Sequence, residues 1–414
     1  MHAPLRYLFG RVVKSGDLVV VDGLGRSWQF GDRSGAKVVI RFQDSGSERA
    51  LFFNPALALG ELYMSGRLDV LEGTIYDLLA IVMQGVDSGP APWVVRLHSA
   101  LHYAVRGFEQ YNPIHRARRN VKHHYDIDPM VYDLMLDEAR QYSCAYFRDG
   151  DDLEAAQRAK MRHIAAKLDL APGQSVLDIG SGWGGLAAYL ASTMPLDVLG
   201  VTLSDEQLKG ARDRARQMGL ETRLRFEKQD YRTLEQVFDR IVSVGMFEHV
   251  GVGHYRTYFE QVGRLLADDG VALIHTIGRT DGPGVTNPFI GKYIFPGGYF
   301  PALSEVLPAI ERSGLIVSDV EVLRLHYAET LKAWRERFIA NRARTAASLG
   351  EAFCRMWEFY LAGSEAGFRY QRLVVFQIQV IKQIDALPIT RNYMTEVEDD
   401  LAGRHDVAAR AMSG

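Results

Sequence analysis

The chain has 414 residues, 47% hydrophobic and 24% charged, and its 48 basic and 51 acidic side chains leave a formal net charge of −3. Such a chain predicts a globular protein of two or three domains, and the near-neutral balance excludes a nucleic-acid binder that works through its overall field. Two cysteines alone, Cys144 and Cys354, far apart in sequence, argue against a disulfide framework and favour a reducing compartment, while no apolar run reaches the roughly 18 residues of a membrane span.

In chain order, residues 1–92 read as a small α+β domain. The stretch LRYLFGRVVK places Leu5, Leu8, Phe9 and Val12 at helical spacing, with Arg6, Arg11 and Lys14 around them. That pattern fits an interfacial helix on anionic lipid and equally a helix packed on its own domain. DLVVVDGLGRSWQFG and AKVVIRFQD read as short strands, and PALALGELYMSGRLDVLEG as a helix followed by a strand. The Pro/Gly/Ser cluster at Gly85–Trp93 marks the boundary. Residues 93–124 form a basic helical linker in which His115, Arg116, Arg118, Arg119, Lys122, His123 and His124 crowd together. The run suits a solvated connector or a patch facing phospholipid headgroups.

Residues 125–385 alternate helix and strand. LEAAQRAKMRHIAAKL is helical, SVLDIG, LDVLGVTL, RLRFEK, DRIVSVGM and GVALIHTI are strands, and GGLAAYLAST, SDEQLKGARDRARQMG and YRTYFEQVGRLLA are helices. Ser204 caps the middle one of these three, with Gln207 at the third position. This alternation predicts a doubly wound α/β domain with its ligand at the carboxyl ends of the strands. Residues 386–414 read as a C-terminal tail.

VLDIGSGWGG spaces Gly180, Gly182 and Gly185 as G-x-G-x-x-G. A dinucleotide and a nucleoside sulfonium both suit such a loop. A dinucleotide site wants an acid about 20 residues on, at the tip of the next strand. Here that tip carries Thr202 and Ser204, and the acid, Asp178, precedes the glycines. The loop therefore leans toward S-adenosylmethionine without excluding the dinucleotide.

The segments HHYDIDPMVYDLMLDEARQYSCAYF, GVTLSDEQ, QDYR, RIVSVGMFEHVG, LIHTIG, KYIFPGG and HYAETLKAWRERF resemble, in order and spacing, the cyclopropane-fatty-acyl-phospholipid synthases. They are also similar to the mycolic acid cyclopropane synthases. The resemblance covers roughly residues 120–380, and the N-terminal domain is similar to that of the phospholipid enzymes. It implies a class I methyltransferase, Rossmann-like in fold, with helical cover insertions. The implied reaction adds a methylene from S-adenosylmethionine to the cis double bond of an unsaturated phospholipid acyl chain, by methyl transfer, carbocation formation and bicarbonate-assisted deprotonation.

The resemblance also implies residue roles. Cys144, Glu248, His275, Ile277 and Tyr327 match the positions around a bound bicarbonate, Cys144 and Ile277 through main chain and the others through side chains. Tyr142 and Ser143 match the sulfonium end of the cofactor, Asp178, Gly180 and Gly182 the glycine loop, Thr202 and Gln207 the ribose, and Asp230 and Tyr231 the adenine. The aromatic stretch NPFIGKYIFPGGYFP offers Tyr293, Phe295, Tyr299 and Phe300 as walls of an acyl tunnel or as ordinary loop packing. Two departures stand out: Ser181 replaces the family's usual cysteine, and YDIDPMVYDLML lacks its Gly-Asn pair.

Glu248, His249 and His254 match no metal-site spacing, so no metal is expected. The family further implies a cytoplasmic homodimer, peripheral at the inner membrane surface. A methyl-branched or methylene product from the same cation is the nearest alternative. A small-molecule methyltransferase, a lipid-binding protein with a dead site and a nicotinamide enzyme follow it.

Overall fold

The structure, a computed structural model, describes residues 1–87 and 128–412. The expected basic linker at 93–124 lies outside the described residues.

The first helix, α1 (Ala3–Val12), buries Leu5, Leu8, Phe9 and Val12 in the core of the N-terminal domain. The packed reading of this stretch therefore holds, and its apolar stripe is not presented to a lipid surface. Next come strands β1 (Asp17–Val21), β2 (Ser27–Phe30) and β3 (Lys37–Phe42). Helix α2 (Ser45–Phe53) follows, its first turn capped by the Asp44 carboxylate, which accepts from the Ser47 amide. Helix α3 (Pro55–Met64), β4 (Leu68–Glu72) and α4 (Ile75–Asp87) complete the unit. The sheet order is β2-β1-β3-β4, with β1 and β3 parallel and the other pairs antiparallel.

The larger unit opens with α5 (Pro129–Met135) and α6 (Leu153–Lys167), then runs β5 (Ser175–Ile179), α7 (Gly185–Thr193), β6 (Asp197–Thr202), α8 (Asp205–Gln217) and β7 (Leu224–Lys228). It continues through β8 (Phe238–Val244), α9 (Tyr255–Leu265) and the long β9 (Leu266–Arg279). Then come α10 (Pro288–Tyr293), α11 (Leu303–Glu311) and β10 (Ile316–Leu323). Three helices follow, α12 (His326–Ala340), α13 (Arg342–Leu349) and α14 (Glu351–Tyr370), before β11 (Leu373–Ile381).

The seven strands lie in the order β10-β11-β9-β8-β5-β6-β7, and β11 runs antiparallel to both neighbours. The expected doubly wound fold is thus present, with one antiparallel strand where the last hairpin closes the sheet. The connections leave β5 and β8 in opposite directions, so the crevice at their carboxyl ends is the switch point where α/β sheets bind ligands. Buried side chains on β5, β6, β8 and β9 supply the central core. Helices α12 and α14 form the expected cover, packing Tyr327, Leu331, Trp334, Trp357 and Tyr360 against Val131 and Tyr132 of α5.

The two units share a seam. Phe289 of α10 and Phe359 of α14 sit in the same core cluster as Leu62 and Tyr63 of α3. Gly60 makes this contact possible, since a Cβ there would lie 2.4 Å from the Phe289 ring. At the edge Lys292 pairs with Glu61 at 2.6 Å. The stretch read as a C-terminal tail instead carries α15 (Asn392–Met412), anchored by buried Met394 and Leu401 and by Glu398 pairing with His163.

Candidate functional site

Two adjoining cavities open at the carboxyl ends of β5 and β8. The larger encloses about 1350 Å³ and is lined by all nine residues assigned to the cofactor: Tyr142, Ser143, Asp178, Gly180, Gly182, Thr202, Gln207, Asp230 and Tyr231. Gly180 and Gly182 hold φ at 83° and 56°, left-handed values that glycine adopts without strain, and this turns the loop away from the strand end. A Cβ on Gly180 would lie 3.0 Å from Met246.

Asp178 is buried at the tip of β5, and its Oδ2 has no hydrogen-bond partner. Burial pushes its pKa up to about 7, against the opposing pull of the Lys160 ammonium. Thr202 donates to Gln207 Oε1 at 2.9 Å, and Ser204 caps α8 by accepting from the Gln207 amide. The expected reciprocal bond of a capping box is absent because the Gln207 side chain turns to Thr202. Asp230 is gripped by Arg232 through both carboxylate oxygens, at 2.8 and 2.7 Å. A ligand meeting Asp230 therefore meets a carboxylate already fixed in orientation.

The smaller cavity holds about 470 Å³ and gathers all five residues matched to the anion: Cys144, Glu248, His275, Ile277 and Tyr327. They arrive from the segment after α5, the turn after β8, the end of β9 and the start of α12. Glu248 Oε1 accepts the Ile277 amide at 2.6 Å, while Oε2 is buried without a partner. Desolvation raises its pKa to about 7. His275 Nδ1 lies 3.2 Å from the Gln377 side-chain amide, and burial drives its pKa well down, which favours the neutral ring. The Cys144 thiol donates to the Ala145 carbonyl at 3.2 Å, and burial pushes its pKa up, as befits a structural cysteine rather than a nucleophile.

Tyr142 and Ser143 line both cavities and so form the wall between them. The Tyr142 ring stacks on Trp334 with centroids 5.1 Å apart, and its hydroxyl lies 2.8 Å from that of Tyr360.

The four proposed tunnel aromatics divide. Phe295 and Phe300 line the smaller cavity. Tyr293 and Tyr299 do not line it. Tyr293 donates to Glu61 at 2.9 Å in the seam with the N-terminal domain. Tyr299 is buried, donates to Glu305 at 2.7 Å and accepts the Gly284 amide at 3.0 Å. In both, the hydroxyl is hydrogen-bonded inside the protein.

Sequence reasoning missed Lys160. This fully buried ammonium of α6 donates to Gln141 at 2.6 Å and to Ser143 Oγ at 2.9 Å, and burial lowers its pKa to about 8. Its charge is felt at Asp178 on one side and at Cys144 and His275 on the other. The signal was present: Leu153, Ala156, Gln157, Lys160 and Ile164 follow the spacing of a helix's buried stripe, where a lysine needs a reason. Also missed were Gln229, Arg232 and His249 along the larger cavity.

Comparisons with known proteins place the chain in a family. Residues 113–378 match the mycolic acid cyclopropane synthetase family. The chain is 45% identical over 257 residues to the cyclopropane-fatty-acyl-phospholipid synthase of Escherichia coli (strain K12), covering 62% of this chain and 66% of that enzyme, slightly under two thirds. It is 36% identical over 344 residues to the tuberculostearic acid methyltransferase UfaA1 of Mycobacterium tuberculosis, covering 79% of each. Among solved structures it resembles the cyclopropane synthase CmaA1 complexed with SAH and CTAB, with a TM-score of 0.61 and 32% identity over 66% of this chain and 99% of that one. With both cavities in place on this sheet, the chain belongs to the mycolic acid cyclopropane synthetase family and has the fold of the S-adenosylmethionine-dependent methyltransferases.

Proposed function

We propose that the protein transfers a methylene from S-adenosylmethionine to the cis double bond of an unsaturated phospholipid acyl chain, forming a cyclopropane. The observation that carries the reading is the smaller cavity, where five residues from four distant segments meet beside the glycine loop. Two orphaned buried oxygens fit the two groups required. Asp178 Oδ2 in the larger cavity is an acceptor for an ammonium, and Glu248 Oε2 in the smaller one is an acceptor for a hydroxyl. When bound, S-adenosylmethionine supplies an electrophilic methyl and bicarbonate supplies a base.

The chain's own residues do the rest. The Ile277 amide fixes one oxygen of Glu248 and leaves the other to orient the anion. Neutral His275 offers a ring nitrogen from the cavity wall. Phe295, Phe300, Tyr142 and Tyr327 exclude water and present ring faces to a developing carbocation. Lys160, behind the wall, offsets the cost of holding an anion beside Glu248. Association with the membrane surface, where the acyl chains are, belongs to the same reading.

A second product is favoured by a separate observation: the relative that matches 79% of this chain is named a tuberculostearic acid methyltransferase. S-adenosylmethionine with a fully deuterated methyl, vesicles of monounsaturated phospholipid and mass spectrometry of the released chains separate the two. Two deuteriums retained in a ring mean cyclopropanation, three retained mean a methyl branch, and no label in the lipid would refute both.

A further inference from the structure

The strip from Gln141 to Tyr146 carries the wall between the two cavities, and no residue of α6 lines either one. Two side chains one turn apart on α6 hold this strip from behind. Lys160 takes the side chains of Gln141 and Ser143. Gln157, fully buried, takes the main chain: its Nε2 donates to the Ser143 carbonyl at 3.0 Å and to the Gln141 carbonyl at 3.3 Å. Both protons of the carboxamide are thereby used, and its Oε1 is left buried without a partner. A buried orphan acceptor opposes folding, so the arrangement calls for a compensating role. The rest of the strip is pinned as well. The Gln141 amide donates to Asp137 at 2.7 Å, the Ala145 amide to Thr330 Oγ1 at 3.0 Å and the Tyr146 amide to the Ala156 carbonyl at 3.1 Å. Arg140, just ahead of it, holds a left-handed φ of 50°, which a bulky residue keeps only where its surroundings impose it.

Cys144 is buried, and its amide N–H makes no hydrogen bond with any described residue. That N–H belongs to the same trans peptide unit as the Ser143 carbonyl, and the two groups of such a unit point to opposite sides. With the carbonyl turned back to Gln157, the N–H faces away from α6, toward the smaller cavity that Cys144 lines. We infer that Gln157 is a positioning residue, which aims the Cys144 amide into the smaller cavity as a preset donor for the anion. A donor fixed in advance costs no reorganisation when negative charge arrives. A carboxamide suits the position because it offers two protons, and no net charge, to two carbonyl oxygens. The inference rests on the anion reading of the smaller cavity and adds to it the residue that sets a donor in its wall.

The chain has two cysteines, so labelling the full chain with heavy nitrogen at cysteine alone gives two amide signals, from Cys144 and Cys354. The Cys354 amide donates to the Gly350 carbonyl at 3.3 Å and serves as the internal control, and Cys354→Ala assigns the pair. In bicarbonate-depleted buffer, added sodium bicarbonate should shift the Cys144 signal and leave that of Cys354 in place. Gln157→Met keeps the bulk and removes both donors. In it the Cys144 signal should move before any bicarbonate is added. The bicarbonate needed for half-maximal lipid labelling should rise about tenfold, as for one weakened hydrogen bond to a charged group. Turnover at saturating bicarbonate and affinity for S-adenosylmethionine should stay within about twofold of wild type. Gln157→Glu, nearly isosteric, is the second variant and should show the same pair of changes, growing as its carboxyl ionises against the two carbonyls. A Cys144 signal indifferent to bicarbonate, in a wild type whose turnover needs bicarbonate, overturns the inference. So does an unchanged bicarbonate requirement in the variants, including the case where cofactor affinity and turnover fall together, which would make Gln157 a strut of the wall and nothing more. A wild type whose lipid labelling is independent of bicarbonate refutes the anion reading itself, a separate result that needs no variant.

Discussion

The two cavities share the wall at Tyr142 and Ser143 but are built by different means. The larger is made mostly of short stretches at the ends of successive strands, Asp178–Gly182, Thr202–Gln207 and Gln229–Arg232, each set by its own turn. The smaller is made of single side chains from segments that are remote in sequence, sealed by cover helices inserted before the last strand. A site assembled from loops tolerates exchange of individual side chains. One assembled from single side chains fails with the loss of any of them. The cofactor cavity should therefore weaken by degrees and the anion cavity abruptly.

The largest expected effect is at Glu248. Glu248→Gln keeps the Ile277 amide bond but loses the charge, and kcat should fall roughly 10³-fold. Affinity for S-adenosylmethionine, read by calorimetry, should barely move. If both collapse together, the two cavities are not separable units. In the wild type the rate should rise with pH through about 7, because the raised pKa keeps Glu248 protonated below that value.

Asp178→Asn comes next. Loss of a charged acceptor should weaken S-adenosylmethionine binding about 10- to 100-fold, the size expected for a hydrogen bond to a charged group. Wild-type affinity should also rise as pH passes about 7, where Asp178 ionises, and the variant should be flat. Titrations at pH 6 and pH 8 check this, and a pH-dependent variant would remove Asp178 as the cause.

Lys160→Met probes the shared wall. Both cofactor affinity and turnover should fall, each by about tenfold, because the ammonium supports Ser143 and acts electrostatically on both cavities. The wild type should lose activity as pH rises through about 8, where Lys160 gives up its charge, and the variant should lose that limb. A change in only one of the two readouts would confine Lys160 to one cavity.

Smaller effects belong to the surroundings. Gly60→Ala drives a methyl into Phe289 and Phe359 and should cost about 1–3 kcal/mol of stability, measured by denaturant unfolding. Tyr299→Phe should cost about 1 kcal/mol through its bonds to Glu305 and Gly284 and leave lipid turnover nearly intact. A large loss of turnover would return Tyr299 to the tunnel.

The fold was largely legible in the sequence because helix and strand periods are local. The alternation from Leu153 onward and the Ser204 cap follow from patterns within a few turns of chain, and the helical cover from the family resemblance. For Tyr293 and Tyr299 the sequence left tunnel wall and loop packing open, because aromatic character alone does not say which rings have polar anchors. Glu61 for Tyr293 and Glu305 for Tyr299 decide that, and Glu61 lies in the other domain. The helical spacing of Leu5, Leu8, Phe9 and Val12 was equally true of a membrane face and of a core, and only the sheet beneath it chose.

The sequence by itself determined the order of the elements, the left-handed glycine loop and the family, since each depends on neighbours a few residues apart or on motifs read along the chain. Only the tertiary structure decided that Glu248, Ile277 and His275 share a space with Cys144 and Tyr327, and that Lys160 is buried behind the wall between two cavities. Burial and electrostatic coupling are properties of assembled packing, so the raised pKa values of Asp178 and Glu248 exist only once the sheet, its loops and the cover have closed around them.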